Sequence, residues 1–274
     1  MTTAGLTLTT TDLVLAALLI AINAALSLAY KLRLEKDLLI AAVRMVAQLA
    51  LVGLILRYVF QSGSVLLMLA ASLVMIAAAA IEVGQRQKPK FKGWAAEGLG
   101  LASLAVIGTA VTVYTIGVVI GPVATSEPGL ITSFTPRHVL PILGMILGNT
   151  LTAISLALST LVDLAKRERG AIEAQLALGR TRAEAFGEIV RRAMTTAMLP
   201  IINAMAVTGL VTLPGMMTGQ ILAGADPQDA AKAQIMIMFV ISGAAGLGAY
   251  AATWGGLRLL SDSRHRLRLD GLRE

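Results

Sequence analysis

Apolar residues in this chain run in long stretches broken by short polar connections. A helix that crosses a bilayer needs about 20 mostly apolar residues. Seven segments meet that length, roughly 12–30, 38–60, 64–83, 97–121, 138–162, 194–213 and 232–257. The pattern predicts an all-α integral membrane protein of about seven transmembrane helices. Between the sixth and seventh segments lies Leu213–Pro227, which holds Pro214, Gly215, Gly219 and Gly224 in otherwise hydrophobic surroundings. Such residues stop a helix, and unpaired peptide groups in hydrocarbon cost several kcal/mol each. A broken or re-entrant segment is therefore expected after helix six. One reading makes it a piece of backbone lining a substrate path, as in transporters. The other ends the sixth span at Pro214 and leaves 214–227 as a loop at the outer interface.

The connections alternate in charge. Lys31, Arg33 and Lys36 follow the first span, and Arg86, Lys88, Lys90 and Lys92 follow the third. Lys166, Arg167, Arg169, Arg180, Arg182, Arg191 and Arg192 fill the connection after the fifth, and Arg258, Arg264, Arg266, Arg268 and Arg273 follow the seventh. The turn 61–63 and the loops 122–136 and 224–229 carry no Lys or Arg. Because basic loops stay cytoplasmic, the expected orientation is N-terminus outside and C-terminus inside. The first eleven residues contain no Lys or Arg, so the charged start of a signal peptide is missing.

Composition supports the membrane assignment. Hydrophobic residues make up 56% of the chain and charged residues 14%, with mean hydropathy +0.77, against about 25% charged in soluble domains. The net charge of +7 is accounted for by inner loops facing anionic lipid rather than by nucleic acid. There is no cysteine, which excludes disulfides, Fe-S clusters and thiolate zinc sites.

Polar residues within the spans are few. Arg44 and Gln48 stand four apart on one helix, with Asn149 in the fifth segment and Asn203 in the sixth. Arg44 has three readings, namely snorkelling to the inner interface, an internal hydrogen bond or ion pair, and substrate contact. Asp12, Glu82, Glu97 and Asp163 sit at span ends. A proton-coupled carrier needs a titratable group inside the bundle, and none is so placed. Phosphate-binding loops and hydrolase motifs are also missing, so any ATP is hydrolysed by another chain. The glycine pairs 117/121, 144/148 and 215/219 have the small-xxx-small spacing that allows close helix packing.

The connection 163–193 is patterned. Ile172, Leu176 and Ala177 have helical spacing and end at Gly179, a natural helix stop. Thr181-Arg-Ala-Glu184 reads as a capping box opening a second helix, with Phe186, Ile189 and Val190 on its apolar side. The pair could lie in the headgroup layer or form a knob for a cytoplasmic partner.

The run Glu173-Ala174, Gly179 and Ile189 resembles the EAA loop by which ABC-transporter permeases dock on their ATP-binding subunit. The leucine-proline that normally follows is replaced by Arg191-Arg192. Further strings are similar to the FetB-type permeases: Glu35-Lys36-Asp37, Arg44 with Gln48-Leu49, Pro141 to Met145 with Gly148-Asn149, Leu213 to Gly219, Ala223 to Pro227, and Gln234-Ile235-Met236. Ala233 departs from the aromatic residue expected before Gln234.

The resemblance implies a single permease domain over 1–274, a coupling helix-turn-helix at 163–193 and a basic cytoplasmic tail at 258–274. It also implies a multi-pass protein of the bacterial inner membrane that exports iron and supports oxidative-stress resistance. ATP and Mg would sit on a separate FetA-type ATPase, with two permease and two ATPase chains assembled together and no cofactor on this chain. Plant proteins of the family are linked to aluminium tolerance. Glu173, Ala174, Gly179, Phe186 and Ile189 would then carry ATPase coupling. Translocation-path candidates are Pro214, Gly215, Met216, Met217, Gly219, Gly224, Asp226, Asn149, Asn203, Arg44 and Gln48. No metal-ligand set is legible. Thioethers suit soft ions such as Cu(I) rather than iron, and methionine also fills irregular gaps.

Overall fold

The computed structural model describes residues 9–86, 90–91, 95–120, 134–262, 267, 269 and 272–273. Its chain contacts divide into two compact units, Met1–Ser64 and Val65–Glu274.

The first unit is a helix pair, α1 (Thr10–Ala29) and α2 (Glu35–Ser62). Thr9 and Asp12 form a capping box that satisfies the first amides of α1. The turn to α2 places Lys31 and Arg33 at positive φ, 53° and 59°. This is a conformation that residues with a Cβ seldom adopt. Buried Ser27 holds the turn, accepting from the Leu34 amide at 2.9 Å and donating to Glu35 Oε2 at 2.9 Å. Gly63, in the left-handed region, ends α2. Leu15, Leu19, Ile40, Leu49 and Leu54 are all exposed. Leaving such a side chain in water costs about 1.5–3 kcal/mol, so these faces require lipid or protein around them.

In the second unit, α3 (Val65–Arg86) and α4 (Ala95–Tyr114) lead to a π-helical turn, Thr115–Ile120. The long α5 (Pro136–Arg167) follows, then α6 (Arg169–Ala177), α7 (Arg182–Ala185), α8 (Gly187–Val207), α9 (Gly215–Leu222) and α10 (Pro227–Leu259). A two-residue antiparallel ladder pairs Lys90–Phe91 with Leu272–Arg273. Helix α5 is the hub, packing against α3, α4, α8 and α10. Ile76, Val83, Leu104, Leu147, Ile154 and Leu158 fill one side of it. Alanines at 153, 157, 197, 245 and 249 bring α5, α8 and α10 together on the other.

Close helix approach occurs at glycines other than the expected pairs. A Cβ on Gly256 would lie 2.8 Å from Leu161 and 2.9 Å from Leu158, and one on Gly248 would meet Thr150. Among the described residues, Gly148, Gly215 and Gly219 have nothing within 4 Å of a built Cβ, and Gly144 meets only Met75. Gly121 falls outside the described residues. The sequence carried the working spacing in the run Gly248, Ala252 and Gly256, which repeats every four residues along one face of α10.

Among the described residues, six helices are long and apolar enough to cross a membrane, spanning 11–29, 35–62, 65–86, 98–120, 136–167 and 227–259. The segment expected at 194–213 is helical only to Val207 and belongs to α8, which is not one of the six. Its first turns carry Glu188, Arg191 and Arg192, and Asn203 and Pro200 interrupt the apolar part, so its hydrophobicity is diluted.

Candidate functional site

Two constructions in the second unit carry the chemistry, a polar helical knob and a pair of cavities around α9. The knob begins where α5 ends at Arg167. Helix α6 stops in a Schellman motif. The Gly179 amide donates to Leu176 O at 3.0 Å, the Arg180 amide donates to Gln175 O at 3.2 Å, and Gly179 has φ +82°. Glycine is needed there because a Cβ disfavours that φ. The expected capping box at Thr181 is present. The Thr181 amide donates to Glu184 Oε2 at 2.8 Å, and Thr181 Oγ1 accepts from the Glu184 amide. The Thr181 backbone hydrogen bond, followed by its hydroxyl, holds the Glu184 carboxyl below its ordinary pKa.

Phe186 and Ile189 anchor the knob rather than present it. Phe186 is 0% exposed and packs with Leu161, Ala165, Ile172, Ile189, Leu257 and Leu260, tying α5, α6, α8 and α10 into one cluster. Glu173, Ala174 and Gly179 are exposed, with Glu173 paired to Arg169 at 2.7 Å. Arg182 Nη1 ties the same region to the segment just after α10 by donating to Ser261 Oγ at 3.0 Å. The exposed apolar tip is Leu178, 82% accessible. Its signal in the sequence was a leucine directly before the helix-stopping glycine.

Arg191 and Arg192, which replace the leucine-proline, have a structural role. Arg191 pairs with Glu188 at 2.7 Å, and Arg192 bridges Glu188 at 2.9 Å and Glu168 at 2.8 Å. Hydrogen bonds from Arg191 and then Arg192 lower the Glu188 pKa, and Glu188, with the charge of Glu168, raises that of Arg192. This chain therefore fastens the start of α8 with charge.

The Leu213–Pro227 stretch contains a helix. After Val207 the backbone folds tightly, with Gly209 at φ +92° and its amide donating to Thr212 O at 2.9 Å. The tip residue Leu210 is 95% exposed. Pro214 occupies the N-cap of α9, and Thr218 Oγ1 donates to its carbonyl at 3.1 Å. Gly224, at φ +93°, closes α9 in a second Schellman motif through its own amide to Ile221 O and the Ala225 amide to Gln220 O. Asp226 then caps α10, accepting from the Gln228 amide at 2.8 Å, with Pro227 as the first helical residue. Asp226 and Gly224 therefore have clear capping duties. At eight residues α9 is about 12 Å long, too short to cross a bilayer.

Two cavities flank α9. The larger, 840 Å³, is lined by Met145 and Pro141 of α5, Met216 and Gln220 of α9, and Met236 with Ala233 of α10. Arg137, His138, Asp229 and Lys232 also border it, with Asp229 and Lys232 paired at 2.9 Å. Val119 and Ile120 of the π-helical turn form another wall; such turns are frequent at functional sites. The smaller, 430 Å³, is lined by Met205 and Thr208, Met217, and Gln234 with Met238. The departure at Ala233 thus opens onto the larger cavity.

The other path candidates lie elsewhere. Gly215 and Gly219 are exposed. Asn149 is exposed and donates to Met145 O at 2.8 Å, and Asn203 is exposed on α8. Arg44 and Gln48 are exposed on α2. No group of three or more His, Cys, Asp or Glu suited to a metal ion occurs among the described residues. Cavity-lining residues that the sequence reading missed are Met145, Met205, Met236, Met238, Gln220 and Gln234. A partial signal was present, since Gln234 and Met238 share one face of α10 while Lys232 and Met236 share the other.

Comparison with known proteins agrees with this membrane architecture. A family model described as uncharacterised protein family UPF0014 matches residues 10–260. The chain is similar to the probable iron export permease protein FetB of Escherichia coli strain K12, 32% identical over 97% of this chain and 98% of that protein. It is also similar to the UPF0014 membrane protein STAR2 of Oryza sativa subsp. japonica, 32% identical over 88% of this chain and 80% of that one. The protein ALUMINUM SENSITIVE 3 of Arabidopsis thaliana is 31% identical over 87% of this chain and 83% of its own length. No solved structure matches. With its apolar helices and a match over nearly the whole chain, this multi-pass membrane protein belongs to the UPF0014 family.

Proposed function

We propose that the chain is the membrane-spanning permease subunit of an ABC transporter that exports iron or a related metal species, driven by a separate ATP-binding subunit. The observation that carries this reading is the knob. It is a helix, a left-handed glycine and a capped helix, anchored through Phe186 to three long helices, with Glu173, Ala174, Leu178 and Gly179 facing outward. A structure that merely lay in the headgroup layer would gain nothing from such rigid fastening. The full-length likeness to a relative named an iron export permease supplies the substrate class.

In this reading α8 is the seventh crossing. Its charged first turn and a half, with Glu188, Arg191 and Arg192, fits the inner face, and the apolar part 193–207, about 22 Å as a helix, crosses most of the hydrocarbon core. The alternating basic connections then put the N-terminus outside and the knob inside. ATP-driven closure of the partner pushes the knob. Because α8 is one helix from Gly187 to Val207, with Pro200 inside it, the displacement is passed along it to the loop before α9 and reshapes the cavities beside it. A pair of these chains with two ATPase chains completes the transporter, and nucleotide and Mg bind only to the ATPase.

Affinity purification of the full chain from native membranes, with a search for a bound ATPase, tests the proposal. Recovery of an ATP-binding subunit that is lost in Leu178→Asp is the expected result. Transport by the chain alone under an ion gradient would instead make it a secondary carrier.

A further inference from the structure

The methionines around α9 are arranged more specifically than a permease scaffold requires. Met216 and Met217 are consecutive, so they leave the helix about 100° apart, and each enters a different cavity. The smaller cavity is lined by Met217 together with Met205 of α8 and Met238 of α10, so three separate helices each contribute one methionine. Gln234 lines the same cavity; it is only 5% exposed, and its buried Oε1 has no hydrogen-bond partner among the described residues. An amide oxygen left so costs about 1–3 kcal/mol and is available as a ligand atom. The larger cavity repeats the set with Met145, Met216, Met236 and Gln220, whose Oε1 also has no hydrogen-bond partner among the described residues.

We infer that the smaller cavity is a binding site for a soft monovalent cation of the Cu(I) or Ag(I) class, held by the thioethers of Met205, Met217 and Met238 with Gln234 Oε1. Thioethers select soft ions, whereas iron takes oxygen and imidazole ligands. All four donors are uncharged, and the desolvation cost of an ion rises steeply with its charge, so a monovalent ion is the one such a site can hold without carboxylates. All three methionines are half-buried, and the three rotatable bonds of methionine let the sulfurs close on an ion. The inference goes beyond the proposed iron export and does not rest on it. Binding itself needs no ATPase.

The full chain in lipid nanodiscs is titrated with Ag(I) and, separately, with Fe(II). The chain contains no cysteine, so thiols contribute no background. Wild type is expected to bind Ag(I) in preference to Fe(II). The volume-conserving double variant Met217→Leu/Met238→Leu should lose affinity by roughly tenfold or more, and Met68→Leu on α3 should match wild type. X-ray absorption of the Ag(I)-loaded wild type should show sulfur neighbours, a readout that does not depend on the variant folding. Equal Ag(I) affinity in the double variant, tighter Fe(II) binding, or a silver shell without sulfur would overturn the assignment. Those failures would leave the ATPase-coupling test untouched, and a missing ATPase partner would leave the silver titration untouched.

Discussion

Gly179 and Gly224 end their helices with the same backbone device, a left-handed glycine in a Schellman motif, and each is followed two residues later by an N-cap, Thr181 or Asp226. Around Gly179 the neighbours are charged, and the ion-pair network of Glu168, Glu188, Arg191 and Arg192 stiffens the start of α8. Around Gly224 the packing is looser, with methionine-lined cavities beside α9 and a single ion pair, Asp229 with Lys232, at the border of the larger one. Identical backbone punctuation thus leads to a packed knob in one place and a cavity wall in the other. The difference lies in what packs behind the turn, Phe186 with its cluster in one case and open volume in the other.

The contrast breaks most visibly at the anchor. Phe186→Ala should destabilise the protein by about 3–5 kcal/mol, read as a lowered thermal midpoint in detergent. Leu222→Ala, at a residue 69% exposed on α9, should stay within about 0.5 kcal/mol. Equal losses would mean that the knob is no better fastened than α9. Gly179→Pro comes next, since proline cannot adopt φ +82° and removes the amide that donates to Leu176. A local cost of about 3 kcal/mol should distort the tip and abolish stimulation of a partner ATPase while the protein remains inserted. Glu173→Lys and Leu178→Asp should abolish the same stimulation with almost no change in thermal midpoint, because both side chains are exposed.

Smaller effects sharpen the comparison. Thr181→Ala removes an N-cap and should cost about 1 kcal/mol, seen as faster amide exchange in α7 and not in α9. Acid should loosen the knob before the cavity region. The pKa values of Glu184 and Glu188 are lowered on folding, so their contribution is present above the ordinary carboxylate pKa and is lost as pH falls through the lowered values. Amide exchange in α7 and early α8 should therefore be constant near neutrality and rise in strong acid. A rise on the alkaline side instead would contradict the pairing.

Much of the fold was legible because helix ends are local. The capping box at Thr181, the stop at Gly179 and the six helices that are long and apolar enough to cross a membrane among the described residues each depend on residues near one another in the chain. What could not be read depended on distant pairings. Gly248 and Gly256 meet Thr150, Leu158 and Leu161 across α5, and although Gly248, Ala252 and Gly256 repeat every four residues, the same four-residue spacing at Gly215 and Gly219 marks no such contact. The cavity linings were hidden for the same reason, since Met205, Met217 and Met238 come from three helices. The sixth apolar segment was misjudged at its ends because Arg191 and Arg192, which look like loop residues, are the charged first turns of α8.

The claim that ties these parts together is that energy enters at the knob and is spent at the cavities. It is tested most directly by metal transport into inside-out proteoliposomes that contain the full chain and its co-purified ATPase, comparing wild type with Leu178→Asp with and without ATP. The account predicts ATP-dependent accumulation in wild type and none in Leu178→Asp, with both proteins equally inserted. ATP-independent transport by the chain alone, or full ATP-driven transport in Leu178→Asp, would contradict it.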